Sequence, residues 1–234
     1  ESGHQITVLA GMVHYATGKK LPKYQGKYFH TDEAFYPGVD VWRCHVSEQY
    51  NTSFLGRLWA YFSFVFSGIW AGLFKIRKKH DIIVVTSPPL FVGIIALVLS
   101  KIKGIPYVFE VRDLWPESAI DTGVLKNKSI IRFSYWFEKL VYRHAKKINV
   151  LTPAYRERLI EKGIPEGKIF MIPNAADFSL ADRVATDFDA EEFRRKLELE
   201  DKFIITYVGA HGVANHLIQL VDAAELLQDT RVVF

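Results

Sequence analysis

Arg112 and Asp113 stand side by side directly after an apolar run, Tyr107 to Val111, and Trp115-Pro116-Glu117 follows them. A guanidinium can grip a diphosphate or a carboxylate through two parallel hydrogen bonds, and a neighbouring carboxylate can orient it or accept a hydroxyl. The same two residues also suit a structural ion pair in which Asp113 caps the next turn, so residue type alone leaves both roles open. Near the other end, the apolar run Phe203 to Val208 leads into Gly209-Ala210-His211-Gly212 and then a helical pattern from about Asn215 to Leu227. Strand, glycine-bearing turn and helix form the arrangement in which helix amides hold phosphate. Asp187-Phe188-Asp189 is an acidic pair of the kind that clamps a divalent cation on a diphosphate. It immediately precedes Ala190-Glu191-Glu192, where aspartate is a favoured helix cap, and capping is the expected role. No other group of carboxylates, His or Cys has metal-ligand spacing, so no metal is expected.

The elements that must position these groups alternate. Strands are expected at Gln5 to Ala10, Val39 to Val46, Asp81 to Thr86, Tyr107 to Val111, Ile148 to Leu151 and Lys168 to Ile172. Helices are expected at Phe54 to Phe74, Leu90 to Lys101, Ser129 to His144 and Thr152-Pro153 to Lys162, with a charged one at Glu191 to Leu199. A Gly/Lys/Tyr-rich loop follows the first strand. Such alternation reads as an α/β fold, a Rossmann-like parallel sheet covered by helices, with the start of a second Rossmann-like lobe. Pro173-Asn174 offers the boundary, giving lobes over 1–173 and 202–234 joined by a connection over 174–201.

The chain has 234 residues, 49% hydrophobic and 24% charged, which excludes a disordered protein. A formal charge of +4 favours phosphate-bearing partners without naming them. Cys44 is the one cysteine, so no internal disulfide can form; a core position and a cytoplasmic setting are expected. The chain starts without Met and stops at the strand-like Val232-Val233-Phe234, and truncation at both ends is expected. Leu58 to Phe74 holds no charged residue yet is diluted by Ser63, Ser67, Gly68 and Gly72, and a buried helix on a sheet face is expected over an interfacial or spanning one. Arg132 to Lys147 interleaves aromatics with bases. A core stripe with a solvated basic face is the first reading and an anionic membrane interface the second. Nucleic acid is not an expected partner, since no zinc-ligand spacing, RNA-recognition signature or helix-turn-helix pattern appears.

Four segments together resemble the retaining GT-B glycosyltransferases of family four, closest to the O-antigen and capsule L-fucosaminyltransferase-like enzymes. They are Gly3 to Leu9 with Tyr15-Ala16-Thr17-Gly18-Lys19 after it, Arg112 to Ser118, Ile172-Pro173-Asn174-Ala175-Ala176-Asp177, and Tyr207 to Gly212. The resemblance implies an acceptor-binding N-terminal lobe and a donor-binding C-terminal lobe, with transfer between strand carboxyl edges. It implies catalytic roles for Arg112 and Asp113, although the family often carries His-Asp where this chain has Arg-Asp. It further implies acceptor contacts from His14, Lys19, Trp115 and Glu117, donor contacts from Gly209, His211, Gly212 and Asn215, and a hinge at Asn174 and Asp177. The family's basic pair is missing at Val213-Ala214-Asn215-His216, and its later Glu-x7-Glu element does not occur up to Phe234.

The activity that the resemblance leads one to expect is metal-independent, cofactor-free, retaining transfer of a hexose, in particular an amino or deoxy sugar. The nucleotide-sugar donor, expected to be UDP-linked, serves a polyprenyl-linked saccharide acceptor at the inner face of the plasma membrane. The isolated fragment is expected to be inactive. A GT-B-like nucleotide-sugar 2-epimerase and a non-catalytic membrane-associated module are the alternatives.

Overall fold

The structure, a computed structural model, describes residues 3–14, 17–32, 36–212, 215–227, 229 and 231–234. Tyr15 and Ala16 of the first resembling segment, and Val213 and Ala214, lie outside the described residues. Contacts divide the chain into two compact units, 1–173 and 174–234. Residues 174–201, expected as a connection, cluster with the C-terminal residues 202–234.

The first unit opens with β1 (Ile6–Gly11), β2 (Phe29–Asp32) and β3 (Val39–Cys44). β1 pairs parallel with β3, and β2 pairs antiparallel on the other side of β3. The sequence reading has no β2. Its four residues show no apolar alternation and are pinned instead by Asp32, which accepts hydrogen bonds from Arg43 Nε (2.6 Å), Tyr24 (2.8 Å) and Lys23 (3.0 Å). Burial opposes the charge on Asp32, but those three donors outweigh it and hold the carboxyl well below its usual range.

Helix α1 (Phe54–Trp70) runs on into a π-helical turn, Ala71–Lys75. Next come β4 (Ile83–Ser87), α2 (Val92–Lys103), β5 (Tyr107–Val111), α3 (Glu117–Asp121), α4 (Lys128–His144), β6 (Lys147–Val150), α5 (Pro153–Glu161) and β7 (Ile169–Met171). Strands β4, β5, β6 and β7 form one all-parallel sheet in that order. Local chemistry sets the helix ends. Ser53, Asn127 and Thr152 each accept a backbone N–H of the first turn, and Pro153 follows Thr152 where a missing N–H does no harm. Gly104 adopts φ +69°, the left-handed conformation that ends α2 before Ile105-Pro106.

Alternate residues of β5, Tyr107, Phe109 and Val111, are all but inaccessible and pack with Ala96 of α2 and with Phe137, Val141 and Tyr142 of α4. Tyr107 also donates to the Val141 carbonyl at 2.5 Å. Cys44 is fully buried, and burial pushes its thiol up to about 12.

The second unit holds α6 (Phe178–Asp187), α7 (Ala190–Lys196), β8 (Phe203–Ile204), α8 (Ile218–Leu226) and β9 (Val232–Val233). β8 and β9 are parallel with α8 between them, one strand-helix-strand step. The α/β expectation of parallel Rossmann-like strands therefore holds in each unit. Asp189 caps α7 by accepting the Glu192 N–H at 2.9 Å, so the aspartate of the acidic pair does serve as a cap. Phe109→Ala is expected to lower unfolding free energy by about 3–5 kcal/mol, read as a fall in urea midpoint with little change in slope.

Candidate functional site

Period-two alternation on β5 turns Tyr107, Phe109 and Val111 into the core and leaves Val108 and Glu110 on the other face. Glu110 is paired in register with Asn149 of β6, and Asn149 Nδ2 donates to Glu110 Oε2 at 3.2 Å. The amide is itself fixed, because Asn149 Oδ1 accepts the Ile172 N–H at 2.8 Å and the residue is buried. On the β4 side, Ser87 donates to the Glu110 carbonyl at 3.1 Å. A polar row thus crosses the carboxyl edge of the parallel sheet from β4 to the end of β7. That edge is where open α/β sheets bind ligands.

Arg112 leaves this row one residue past β5. Its Nε lies 4.0 Å from Glu110 Oε1, and half of its side chain is exposed. The guanidinium is therefore loosely tethered and retains donors for another group. Asp113 does not serve as its partner; it accepts the Ser118 hydroxyl at 2.9 Å and closes the turn before α3. Trp115 packs edge-on against Phe91 at 5.6 Å, which gives it a packing role in the loop.

Glu117 is drawn elsewhere. Lys162, the residue that ends α5, places its Nζ 2.7 Å from Glu117 Oε1 and 2.5 Å from Glu138 Oε1 of α4, with all three side chains at least four-fifths covered. Glu138 takes the hydrogen bond, whereas neither oxygen of Glu117 has one. Burial pushes the Glu138 carboxyl up, only partly opposed by Lys162. Expected as an acceptor contact, Glu117 instead belongs to an ion cluster joining α3, α4 and α5, because the buried ammonium attracts both carboxylates.

His14 and Lys19 share one exposed loop after β1, where the His14 N–H donates to the Lys19 carbonyl at 2.8 Å. The Glu48 carboxylate anchors this loop by accepting the Lys20 N–H at 2.7 Å. Among the described residues, no hydrogen bond or ion pair joins this loop to Arg112 or Asp113.

In the second unit, Tyr207 donates its hydroxyl to the Ala210 carbonyl at 3.1 Å, and Asn215 Nδ2 donates to the same oxygen. His211 lies 6.1 Å from the Tyr207 ring. Gly209 is crowded by Tyr207, but a Cβ on Gly212 would meet nothing within 4 Å among the described residues. The helix expected from Asn215 begins at Ile218. Asp177, expected as a hinge residue, caps α6 through the Ser179 N–H at 3.0 Å, while Asn174 is exposed at the unit boundary. Glu110 and Asn149 were missed by sequence reasoning. The available signal was a carboxylate and an amide inside otherwise apolar strands, YVFEV and INV.

A family profile described as "Glycosyl transferase 4-like domain" matches residues 1–175. WcaI of Escherichia coli (strain K12), which bears the name of a colanic acid biosynthesis glycosyl transferase, is 25% identical over 236 residues. That match takes in 99% of this chain but 57% of WcaI, so the chain spans a little over half the length of this curated relative. Among solved structures, Anabaena Alr3699/HepE in complex with UDP and glucose superposes with a TM-score of 0.53 at 14% identity, over 83% of this chain and 46% of that one. Its complex with UDP gives 0.50 at 15%, over 82% and 45%. These likenesses concern the fold.

Lys162→Met is expected to cost about 3–5 kcal/mol near neutral pH, since it strands two covered carboxylates without a cation. The deficit should shrink as pH falls and Glu138, whose carboxyl burial pushes up, protonates, because a neutral carboxyl needs no counter-charge. Chemical denaturation of both proteins across the acid range reads this directly; a deficit that stays constant with pH would show that lost packing, not charge, is the cause.

Proposed function

We propose, for a chain that belongs to the glycosyl transferase 4-like domain family, that it moves a sugar from a UDP-linked donor to a lipid-linked saccharide acceptor in surface polysaccharide synthesis. The observation that carries this reading is the tethered, half-exposed Arg112 at the carboxyl edge of the parallel sheet, within the segment matched by the family. WcaI's name supports a polysaccharide pathway, and the HepE complexes, which hold UDP, support a uridine nucleotide donor. The sugar is an amino or deoxy hexose, with O-antigen or capsule as the class of product, and stereochemistry at the anomeric carbon is retained.

Arg112 is the acceptor-side cation. Glu110, braced by Asn149, limits the directions its guanidinium takes, and its free donors meet a phosphate or acidic group of the acceptor. Asp113, held by Ser118, keeps a lone pair for a sugar hydroxyl. In the second unit, Gly209 and Gly212 admit the donor diphosphate to the backbone, with His211 and Asn215 beside it, and the open space above Gly212 supports that role. His14 and Lys19 contact the acceptor from their own loop. Negative charge developing on the leaving diphosphate is met by amides, helix dipole and bases rather than a metal ion. The setting is the cytoplasmic face of the membrane, and Asn174 marks the hinge.

The test, run on the longest protein that carries this sequence, is transfer of labelled sugar from UDP-sugars to a polyprenyl-diphosphate-linked saccharide, with product linkage read by NMR. Arg112→Ala is expected to lower kcat/KM by about two to three orders of magnitude, Arg112→Lys to restore part of it, and chelators to have no effect. Conversion of the UDP-sugar at an unchanged rate without any acceptor would replace this reading with epimerisation.

A further inference from the structure

Helix α1 is built with its small residues inside and its large ones outside. Its buried positions are Gly56, Ala60, Ser63, Val65, Ser67 and Gly68, with Ala71 and Gly72 continuing the stripe. Gly68 and Gly72 bring the helix backbone against Ile95 and Leu99 of α2 so closely that a Cβ would approach their side chains to under 3 Å. The two serines act as polar ties: Ser63 Oγ accepts the Ser47 N–H at 2.8 Å, and Ser67 Oγ donates to the His45 carbonyl at 2.7 Å. Leu55, Trp59, Phe66, Trp70 and Phe74 point outward, each more than half exposed. Their spacing of four, seven, four and four residues is one helical stripe. A helix of a water-soluble protein puts those residues inside. The expectation of a buried helix is thus corrected, since 39% of its apolar window is covered.

The stripe is not isolated. Aromatic contacts run from Phe66 to Phe62 (6.4 Å), Phe62 to Phe91 (5.1 Å), Phe91 to Phe137 (6.1 Å), Phe137 to Phe133 (6.3 Å) and Phe133 to Trp136 (5.5 Å). Phe133 and Trp136 of α4 are again more than half exposed, and they are joined to Phe66 of α1 through the half-buried Phe62 and Phe91 and the buried Phe137, so two exposed aromatic patches share one packed aromatic base. The patch on α4 meets a groove of about 480 Å³ lined by Lys128, Ser129, Arg132, Phe133 and Trp136.

Charge follows the same surface. Residues 49–80 and 122–137 contain eight Lys or Arg and no Asp or Glu, in a chain whose net charge is only +4, so the rest of the chain is net acidic. All eight bases, from Arg57 and Lys75 to Lys128 and Arg132, are exposed. Lys78 is engaged by Asp40, Arg57 lies over the Tyr50 ring and Lys75 over the Phe29 ring, and Lys128 and Arg132 line the groove beside Phe133 and Trp136.

We infer that α1 and α4 together form a seat for an anionic phospholipid bilayer, with Trp59, Phe66, Trp70, Phe133 and Trp136 entering the headgroup boundary and the flanking bases meeting lipid phosphates. Tryptophan and phenylalanine over a basic rim is the chemistry of that boundary. The inward small-residue stripe is already filled by α2, which holds α1 against the unit and makes the seat interfacial. The inference stands on this surface alone and is independent of the transferase reading.

The experiment is flotation with vesicles of phosphatidylglycerol and phosphatidylethanolamine, compared with phosphatidylcholine, together with quenching of the wild-type tryptophans by lipids brominated along the acyl chain. Binding to the anionic vesicles is expected, with quenching strongest for bromines near the headgroup and release by alkaline carbonate. Phe66→Glu and Trp70→Glu alter exposed positions and should each weaken partitioning about tenfold or more with circular dichroism unchanged. Lys128→Glu with Arg132→Glu should weaken anionic binding while leaving phosphatidylcholine binding as it was. Wild-type protein that stays with the aqueous fraction and shows no quenching would overturn the inference. So would resistance to carbonate, which indicates a spanning helix, or a lipid-free dimer that Phe66→Glu dissolves, which makes a second copy the occupant.

Discussion

Burial of Tyr107, Phe109 and Val111 between α2 and α4 fixes more than the core of the first unit. Because successive side chains on a strand point to opposite faces, anchoring those three residues dictates that Glu110 lies on the other face. Parallel pairing then sets Glu110 beside Asn149, and Asn149 reaches the first backbone N–H beyond β7. A slip of one residue in β5 would bury Glu110 under α4 and expose Phe109, a loss of apolar burial compounded by an unpaired carboxylate in the core. The position of Arg112 at the edge is thus enforced by a hydrophobic register several residues upstream.

The opposite logic governs α1. Its inner face supplies little apolar area, so close approach of backbone and two serine hydrogen bonds hold it in place, the means by which helices associate inside membranes. Water gives the outer aromatic face no partner. Contiguous exposed apolar surface of this kind marks an interaction site rather than the scattered single residues that any protein shows.

Much of the frame could be read from the chain because its signals were local. Buried parallel strands announce themselves as short β-branched runs, and Thr152-Pro153 and Asp189 announce helix starts through the first-turn amides they satisfy. The features that could not be read depend on partners distant in sequence. β2 exists because Arg43 and Tyr24 converge on Asp32, and of the run Phe203 to Val208 only Phe203 and Ile204 form β8, paired with Val232 and Val233. Hydrophobicity of α1 is high all the way round, so its periodicity could not tell small-inside from aromatic-inside; only packing against Ile95 and Leu99 decides it. Helix α6 was hidden by polar residues, its start set by Asp177. At the candidate site, Arg112 and Asp113 were visible as a pair, but a pair in sequence is not a pair in space: strand parity gives Arg112 to Glu110, and the turn gives Asp113 to Ser118.

The two surfaces of the first unit meet at Phe91. Its ring packs on Trp115 of the edge loop, on Phe62 of α1 and on Phe137 of α4. Close-packed aromatic contacts of this kind transmit position rather than absorb it. Whatever rests on the aromatic face of α1 and α4 is therefore held at a fixed offset from the loop that carries Arg112, with one ring between them. A lipid-linked acceptor has its diphosphate at the level of the headgroups and its saccharide beyond. For the acceptor proposed above, the acceptor site would have to sit at a set height above the bilayer, and the packing of Phe91 between the edge loop and the proposed seat is suited to fix that height.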